Sequence, residues 1–130
     1  LSENMLPIQE FGNLYFIGED LAISENISGI LAQGHTESMF CPKINVNGQT
    51  LVFMADMIPS IGHIRPNYVM GYDIRPLDTM RERADFLEDA LTHDYTLFFE
   101  HDLNVECGKV IKTDRGFKLG DHGKLSEFLG

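Results

Sequence analysis

Three polar residues that can bind a metal ion each follow directly after an apolar segment. They are His35 after residues 30–34, Asp56 after residues 51–55, and His101 after residues 95–100. Strand ends at one edge of a layered α/β structure converge, so side chains far apart in sequence can meet there. Imidazole nitrogen and carboxylate oxygen are ligands for zinc and iron, and a carboxylate can bridge two cations. The pattern predicts a metal site, although each residue taken singly also fits a surface histidine or a turn-capping aspartate.

A long loop, residues 57–75, contains further candidates. It holds two prolines, two glycines and several large apolar side chains. A connection of this length is usually functional or disordered, and the apolar content favours an ordered loop that lines a site. We expect His63 and Tyr68 to contact the substrate or to support the metal ligands; the alternatives are a backbone-bonded histidine and a packing tyrosine. Asp102, next to His101, is expected to orient that ligand or its loop.

The segments that must position these residues carry clear local signals. Asn47-Gly48 is well suited to a two-residue type I′ turn, so residues 39–46 and 49–54 are predicted to form a β-hairpin. Pro76 suits the first turn of a helix, and apolar residues follow it at helical spacing. They are Leu77, Met80, Ala84, Leu87 and Leu91.

Shorter apolar runs, separated by glycine and other turn residues, predict the remaining strands. They are residues 5–8, 14–17, 27–31, 95–99, 109–112 and 117–119. The last two are expected to form a second hairpin about residues 114–116. A chain of 130 residues is long enough to bury one core and is expected to form a single domain.

The composition excludes some classes of partner. The chain has 20 acidic and 10 basic residues and a formal charge of −10. A nucleic-acid surface needs clustered cations, and none occurs, so no nucleic-acid partner is expected. The sequence has no apolar run of about 18 residues and opens with no leader peptide, so we expect no membrane association and a cytoplasmic location. Cys41 and Cys107 form no CxxC motif and are expected to be buried thiols, unless the fold brings them together as a disulfide.

Three short motifs carry a resemblance to a known family. They are Gly34-His35-Thr36, Val52-Phe53-Met54-Ala55-Asp56 and Phe98-Phe99-Glu100-His101-Asp102. In order and approximate spacing they resemble the third, fourth and fifth motifs of the metallo-β-lactamase superfamily, and a helix at Pro76 fits the same pattern. The match covers about residues 5–112. The resemblance implies that His35 binds one metal ion, Asp56 bridges two, and His101 binds the second.

The resemblance also implies an architecture. The family fold is an αββα sandwich of two similar halves, and residues 1–130 resemble only the second, a C-terminal half-domain. We expect an α/β (α+β) fold with one mixed, mostly antiparallel sheet and one main covering helix. The family's HxHxDH motif, which supplies most of the other ligands, does not occur in the sequence. The inner sheet face would be a larger apolar patch than monomers tolerate, so we expect an N-terminal half of the same protein, or a second copy in a homodimer, to cover it.

The function implied is metal-dependent hydrolysis. The intact protein is expected to hold two zinc ions, or iron or manganese, whose bound hydroxide cleaves a lactone, ester, thioester or related bond of a small molecule. Asp56 would hold the metals and accept a proton. The chain alone is expected to be inactive and without bound metal. Acyl-homoserine-lactone lactonases have a similar motif order, but many carry a tyrosine where Pro59 stands. The alternative is a non-catalytic, metal-free association domain of the same fold.

Overall fold

The six strands lie side by side in the same order as in the sequence. They are β1 (Ile27–Ala32), β2 (Met39–Val46), β3 (Gln49–Phe53), β4 (Thr96–Phe98), β5 (Cys107–Thr113) and β6 (Gly116–Gly123). All neighbouring pairs are antiparallel except β3 and β4, which are parallel. The connection between these two carries the main helix, α2 (Pro76–Thr92). The computed structural model, which describes residues 2–129, confirms a mixed, mostly antiparallel sheet with one main covering helix.

The turn chemistry read from the sequence explains the β2–β3 hairpin. Asn47 and Gly48 have φ values of 52° and 80°, so both central residues of the turn have positive φ, as a type I′ turn requires. The register runs from Lys43 opposite Val52 to Val46 opposite Gln49. This hairpin fixes the strand that leads into Asp56.

The helix α2 was predicted at the right place but with a shifted buried face. Pro76 occupies its first turn and Asp78 places a negative charge there, which favours the positive end of the helix dipole. Leu87 is buried, but Leu77 is 64% exposed. The buried face consists of Thr79, Arg83, Phe86, Leu87 and Ala90. The apolar stripe misplaced this face because two of its buried residues are polar.

Two of the strands predicted near the N-terminus were wrong. Residues 5–8 belong to a helix, α1 (Ser2–Glu10), and residues 14–17 have no regular structure. Met, Leu, Gln and Glu favour helix, and no neighbouring strand offers residues 5–8 a ladder of hydrogen bonds. Neither α1 nor the short α3 (Leu125–Phe128) buries a residue. The sheet therefore begins at β1, where the predicted strand at residues 27–31 is confirmed.

The two faces of the sheet differ in their cover. The core lies between the sheet and α2, with Val52 and Leu97 wholly buried on that face. Side chains alternate along a strand, so Phe53 and Phe98, paired in register and stacked at 5.8 Å, lie on the opposite face. We call this the second face. It also carries Phe40, Ile44, Leu51, Leu31 and Ile111. Leu31 and Ile111 are each more than 40% exposed.

Both cysteines are free thiols, as expected. Cys41 lies on the α2 face and Cys107 on the second face, so the sheet separates them. Burial, with smaller contributions from Glu82 and Asp56, raises the pKa of Cys41 to about 12. Burial likewise raises the pKa of Cys107 to about 11. Both thiols are therefore protonated and unreactive near neutral pH. Among residues 2–129, none of the helices has the length and apolar content needed to cross a membrane.

Candidate metal centre

His35, Asp56 and His101 come together at one edge of the sheet. They line a single cavity of about 480 Å³. The loop between β3 and α2 provides the rest of its wall with Pro59, Ser60, His63, Met70 and Tyr72. Strand ends bring together side chains that are 66 residues apart in sequence (from 35 to 101). The predicted convergence is therefore present in the fold.

Asp56 lies between the two histidines. Its Oδ2 is 3.5 Å from His35 Nε2, and its Oδ1 is 3.4 Å from His101 Nε2. Both separations are longer than the 2.7–3.2 Å typical of N–H···O hydrogen bonds. The carboxylate thus presents a different oxygen atom to each imidazole ring, the arrangement that a carboxylate bridging two cations would have.

The backbone around Asp56 holds this carboxylate at the strand end. Met54 N donates to Phe98 O, which continues the β3–β4 pairing to the edge of the sheet. Ala55 then has φ 43°, a left-handed conformation that is strained for a residue with a Cβ. Asp56 lies in the 3₁₀ turn that follows, Ala55–Met57. His101 N donates to Pro59 O at 3.0 Å, so the loop after β4 is tied to the loop after Asp56.

His35 forms a hydrogen bond, on the side of the ring away from Asp56, with Asp73, a residue that was not predicted from the sequence. Its Nδ1 lies 2.9 Å from Asp73 Oδ1, and the Asp73 side chain is 0% exposed. The other Asp73 oxygen accepts a hydrogen bond from Met70 N. An Nδ1–H donor leaves the Nε2 lone pair free to face Asp56 and the cavity, as metal-binding histidines require. Asp73 is the only acidic residue between Asp56 and Asp78, a signal that could have identified it.

His63 lines the cavity as part of a side-chain pair. Its Nδ1 lies 2.8 Å from Ser60 Oγ, across the 3₁₀ turn Ile61–His63. Burial, followed by the nearby charge of Arg83, lowers the pKa of His63. The ring is therefore neutral near pH 7. Sequence reasoning identified His63 but not its partner Ser60.

The other two predicted site residues, Asp102 and Tyr68, lie outside the lining of this cavity. The carboxylate of Asp102 accepts hydrogen bonds from Ile61 N, Asn104 N and Val105 N. Burial acts to raise the pKa of Asp102, but these three N–H groups hold it below the ordinary value. Tyr68 is not brought to the metal candidates: it lies beside Arg65 in a separate surface cavity. The tyrosine that lines the site is Tyr72.

The donor set fits zinc in part. Two ligand atoms about 2.1 Å from a tetrahedral zinc ion lie about 3.4 Å apart, which matches the two separations at Asp56, of 3.5 and 3.4 Å. Within residues 2–129, however, no three His, Cys, Asp or Glu side chains cluster tightly enough to hold one ion. Each of the two gaps at Asp56 therefore presents a pair of donors, one from a histidine and one from Asp56, and a complete zinc site would need others.

Solved structures share this fold. The chain matches a probable metal-dependent hydrolase from Staphylococcus aureus with 23% identity and a TM-score of 0.74 over 86% of its length and 40% of that protein's. It matches AidC, a dizinc quorum-quenching lactonase in complex with a product, N-hexanoyl-L-homoserine, with 20% identity and a TM-score of 0.76 over 95% and 42%. It matches AbOPH, a hydrolase of the β-lactamase superfamily, with 22% identity and a TM-score of 0.74 over 95% and 43%.

The chain spans about two fifths of the length of these proteins. No family model and no curated protein matches it. At 20 to 23% identity the likeness establishes the fold. The chain therefore has the fold of about two fifths of a metallo-β-lactamase-superfamily hydrolase.

Proposed function

We propose that the chain is the C-terminal part of a dinuclear zinc hydrolase that cleaves a lactone, ester, thioester or related bond. The observation that carries this proposal is Asp56, whose two oxygens lie 3.5 and 3.4 Å from the Nε2 atoms of His35 and His101. His35 and His101 would each bind one zinc ion, and Asp56 would bridge the two. The dizinc lactonase AidC, which shares the fold, supports the choice of metal.

The bound ions would supply an acidified water and polarise the carbonyl oxygen of the substrate. Asp56 would hold both ions at a fixed separation, and a lone pair that it does not use for zinc would accept the proton that the attacking water loses. Asp73 would keep His35 in the tautomer that presents Nε2. Asp102 would hold the loop after β4, which positions His101.

His63 is suited to contact the substrate. When Ser60 Oγ donates to Nδ1, the proton of the neutral ring stands on Nε2, which can donate to a substrate oxygen. The cavity wall beside it carries Pro59, Met70 and Tyr72. A lactone or ester with an apolar arm fits this wall better than a phosphoester does, because the only two positive side chains of the loop, Arg65 and Arg75, are absent from the lining.

We propose that the rest of the same fold covers the second face and completes the metal site. About three fifths of each matched structure has no counterpart in this chain. The second face presents two stacked, partly exposed aromatic rings, Phe53 and Phe98, and the main core between the sheet and α2 lies on the opposite face. Burial of such a face removes apolar area from water, and this contributes a favourable free energy of about 25 cal/mol per Å². The two histidine–Asp56 donor pairs also lack the further ligands that a zinc site needs. An element that covers the second face and supplies those ligands would account for the apolar face and for the incomplete metal site.

Native mass spectrometry of the purified protein with its bound partners tests the proposal. A particle that contains this chain, the rest of the fold in the same or in a second polypeptide, and two zinc ions supports it. A metal-free homodimer would instead favour the association domain, with no catalytic role for His35, Asp56 or His101. A metal-free monomer would contradict both the dinuclear site and the need for cover. A lactone hydrolysis assay on the same sample, with and without a chelator, then tests the chemistry.

A further inference from the structure

Two consecutive residues of α2, Glu82 and Arg83, bond to main-chain atoms of different loops at the site. Glu82 accepts from both Gln33 N and Gly34 N, at 2.8 and 3.0 Å. These are the two residues directly before His35. A carboxylate that accepts two N–H groups is a strong, charge-assisted bond pair, so Glu82 holds the start of the His35 loop.

Arg83 holds the other loop, the one between β3 and α2. Its side chain is 0% exposed. Nε donates to Met57 O at 2.8 Å, and Nη1 donates to Tyr68 O at 2.7 Å and more weakly to Arg65 O at 3.4 Å. These carbonyls lie on both sides of Ser60 and His63, so one guanidinium closes the loop around that pair.

Packing alone does not account for a buried arginine here. Burial lowers the pKa of Arg83, which shows that its environment disfavours the charge. Among residues 2–129 no carboxylate forms an ion pair with it, and its Nη2 is buried without a hydrogen-bond partner. A methionine or leucine would fill a core position without this desolvation cost. What the guanidinium supplies instead is a set of bonds to loop carbonyls that no strand or helix satisfies.

Consecutive residues on an α-helix point about 100° apart, so one turn of α2 can reach loops on two sides of the site. We propose that Glu82 and Arg83 are positioning residues, which fix the His35 loop and the His63 loop to the same rigid helix and so set the distance between the metal ligands and the substrate wall. The consequence for catalysis rests on the proposed function. The positioning itself does not, and it is tested without metal or substrate.

The first variant is Glu82→Gln, followed by amide hydrogen exchange and by ¹⁵N signals of the histidine rings. A glutamine offers one acceptor oxygen in place of two, so the amides of Gln33 and Gly34 are expected to exchange about ten-fold faster or more. The ring signals of His35 are expected to shift, while those of His63 keep their wild-type values.

The second variant is Arg83→Met, which removes the donors and keeps much of the volume. The amides of His63 and Tyr68 are expected to exchange about ten-fold faster or more, with the Gln33 amide unchanged. If the methionine variant does not fold, Arg83→Lys is measured in the same way, because a single ammonium group cannot bond to Met57 O and Tyr68 O in the guanidinium geometry.

Two exposed residues of the same helix provide the controls. Asp78 and Arg81 form an ion pair with each other on the outer surface, so Asp78→Asn and Arg81→Met alter charge on α2 without contact to either loop. Loop-specific changes in the two test variants, absent from both controls, support the proposal. Equal loosening of both loops by each variant, or changes no larger than those in the controls, would overturn it and would leave the proposed hydrolysis untouched.

Discussion

His35 donates from Nδ1 to Asp73, a carboxylate whose side chain is wholly buried, over 2.9 Å. The same carboxylate accepts from Met70 N with its other oxygen, so both of its oxygen atoms are engaged within the loop. This bond determines which nitrogen of the ring faces Asp56. An imidazole supported in this way is better oriented as a metal ligand than an unsupported one. The loop that lines the cavity is therefore also the element that orients one of the candidate metal ligands.

Replacement of Asp73 by asparagine should weaken metal binding without opening the site. An amide carries an NH₂ donor in place of one carboxylate oxygen, so it cannot present an acceptor to His35 and to Met70 N at the two separate oxygen positions of Asp73. The ring then loses its fixed tautomer. Zinc affinity of the assembled hydrolase is expected to fall about 10- to 100-fold, as measured by competition with a chromophoric chelator. Asp78→Asn on the surface of α2 is the matched control. Equal affinities in the two variants would show that Asp73 does not support the ligand.

Removal of the three candidate ligands should have unequal effects. Asp56→Ala is expected to abolish binding of both zinc ions, because its carboxylate faces both histidines. His35→Ala and His101→Ala are each expected to lose one ion of the two. Elemental analysis of the purified protein measures the zinc content, and His93→Ala, an exposed histidine outside the cavity, serves as control. Two ions retained in Asp56→Ala would rule out the bridge.

The sequence predicted most of the sheet because the relevant signals are local. The type I′ pair Asn47-Gly48 fixed one hairpin, and Pro76 marked the start of α2. Local signals did not predict the buried face of α2, because tertiary contacts determine it. That face contains Arg83, whose burial depends on loop carbonyls far away in sequence. An arginine in a helix is normally exposed, so no pattern in α2 alone could reveal it.

The candidate site shows the same division. The convergence of His35, Asp56 and His101 could be predicted because each lies three residues after the last residue of a strand, and strand ends converge. Their supporting residues could not, since Asp73 and Ser60 lie in an irregular loop whose path no periodicity describes. The positions of Asp73 and Ser60 depend on the bonds of Arg83 to that loop and on the main-chain hydrogen bonds within it.

Gly34 should tolerate no side chain. A Cβ at this position would lie 2.2 Å from Thr79 N and 2.4 Å from Thr79 Oγ1, at the first turn of α2. Gly34→Ala must push the His35 loop away from the helix and is expected to lower the free energy of unfolding by about 2 kcal/mol or more, as measured by urea titration. Gly71→Ala is the matched control, because a Cβ there would meet nothing within 4 Å. Equal stability of the two variants would contradict the close packing of this loop.

Acid should destabilise the protein partly through His63. Burial, and after it the charge of Arg83, lowers the pKa of His63 below its ordinary value of 6.5. The unfolded chain therefore takes up the proton first as the pH falls. The stability that the neutral ring contributes is complete above about pH 6.5 and is lost as the pH falls from there through the folded-state pKa.

Replacement of His63 by glutamine removes this titration, so its free energy of unfolding should fall less than that of the wild-type protein between pH 7 and pH 5. Urea titrations at intervals of half a pH unit measure the difference. His122→Gln, at an exposed histidine outside the cavity, should follow the wild-type curve. If the His63 variant also runs parallel to the wild type, then His63 takes up its proton equally well in the folded and unfolded chains. A ring of that kind would be partly protonated near neutral pH and would not be the neutral hydrogen-bonding group proposed for the substrate wall.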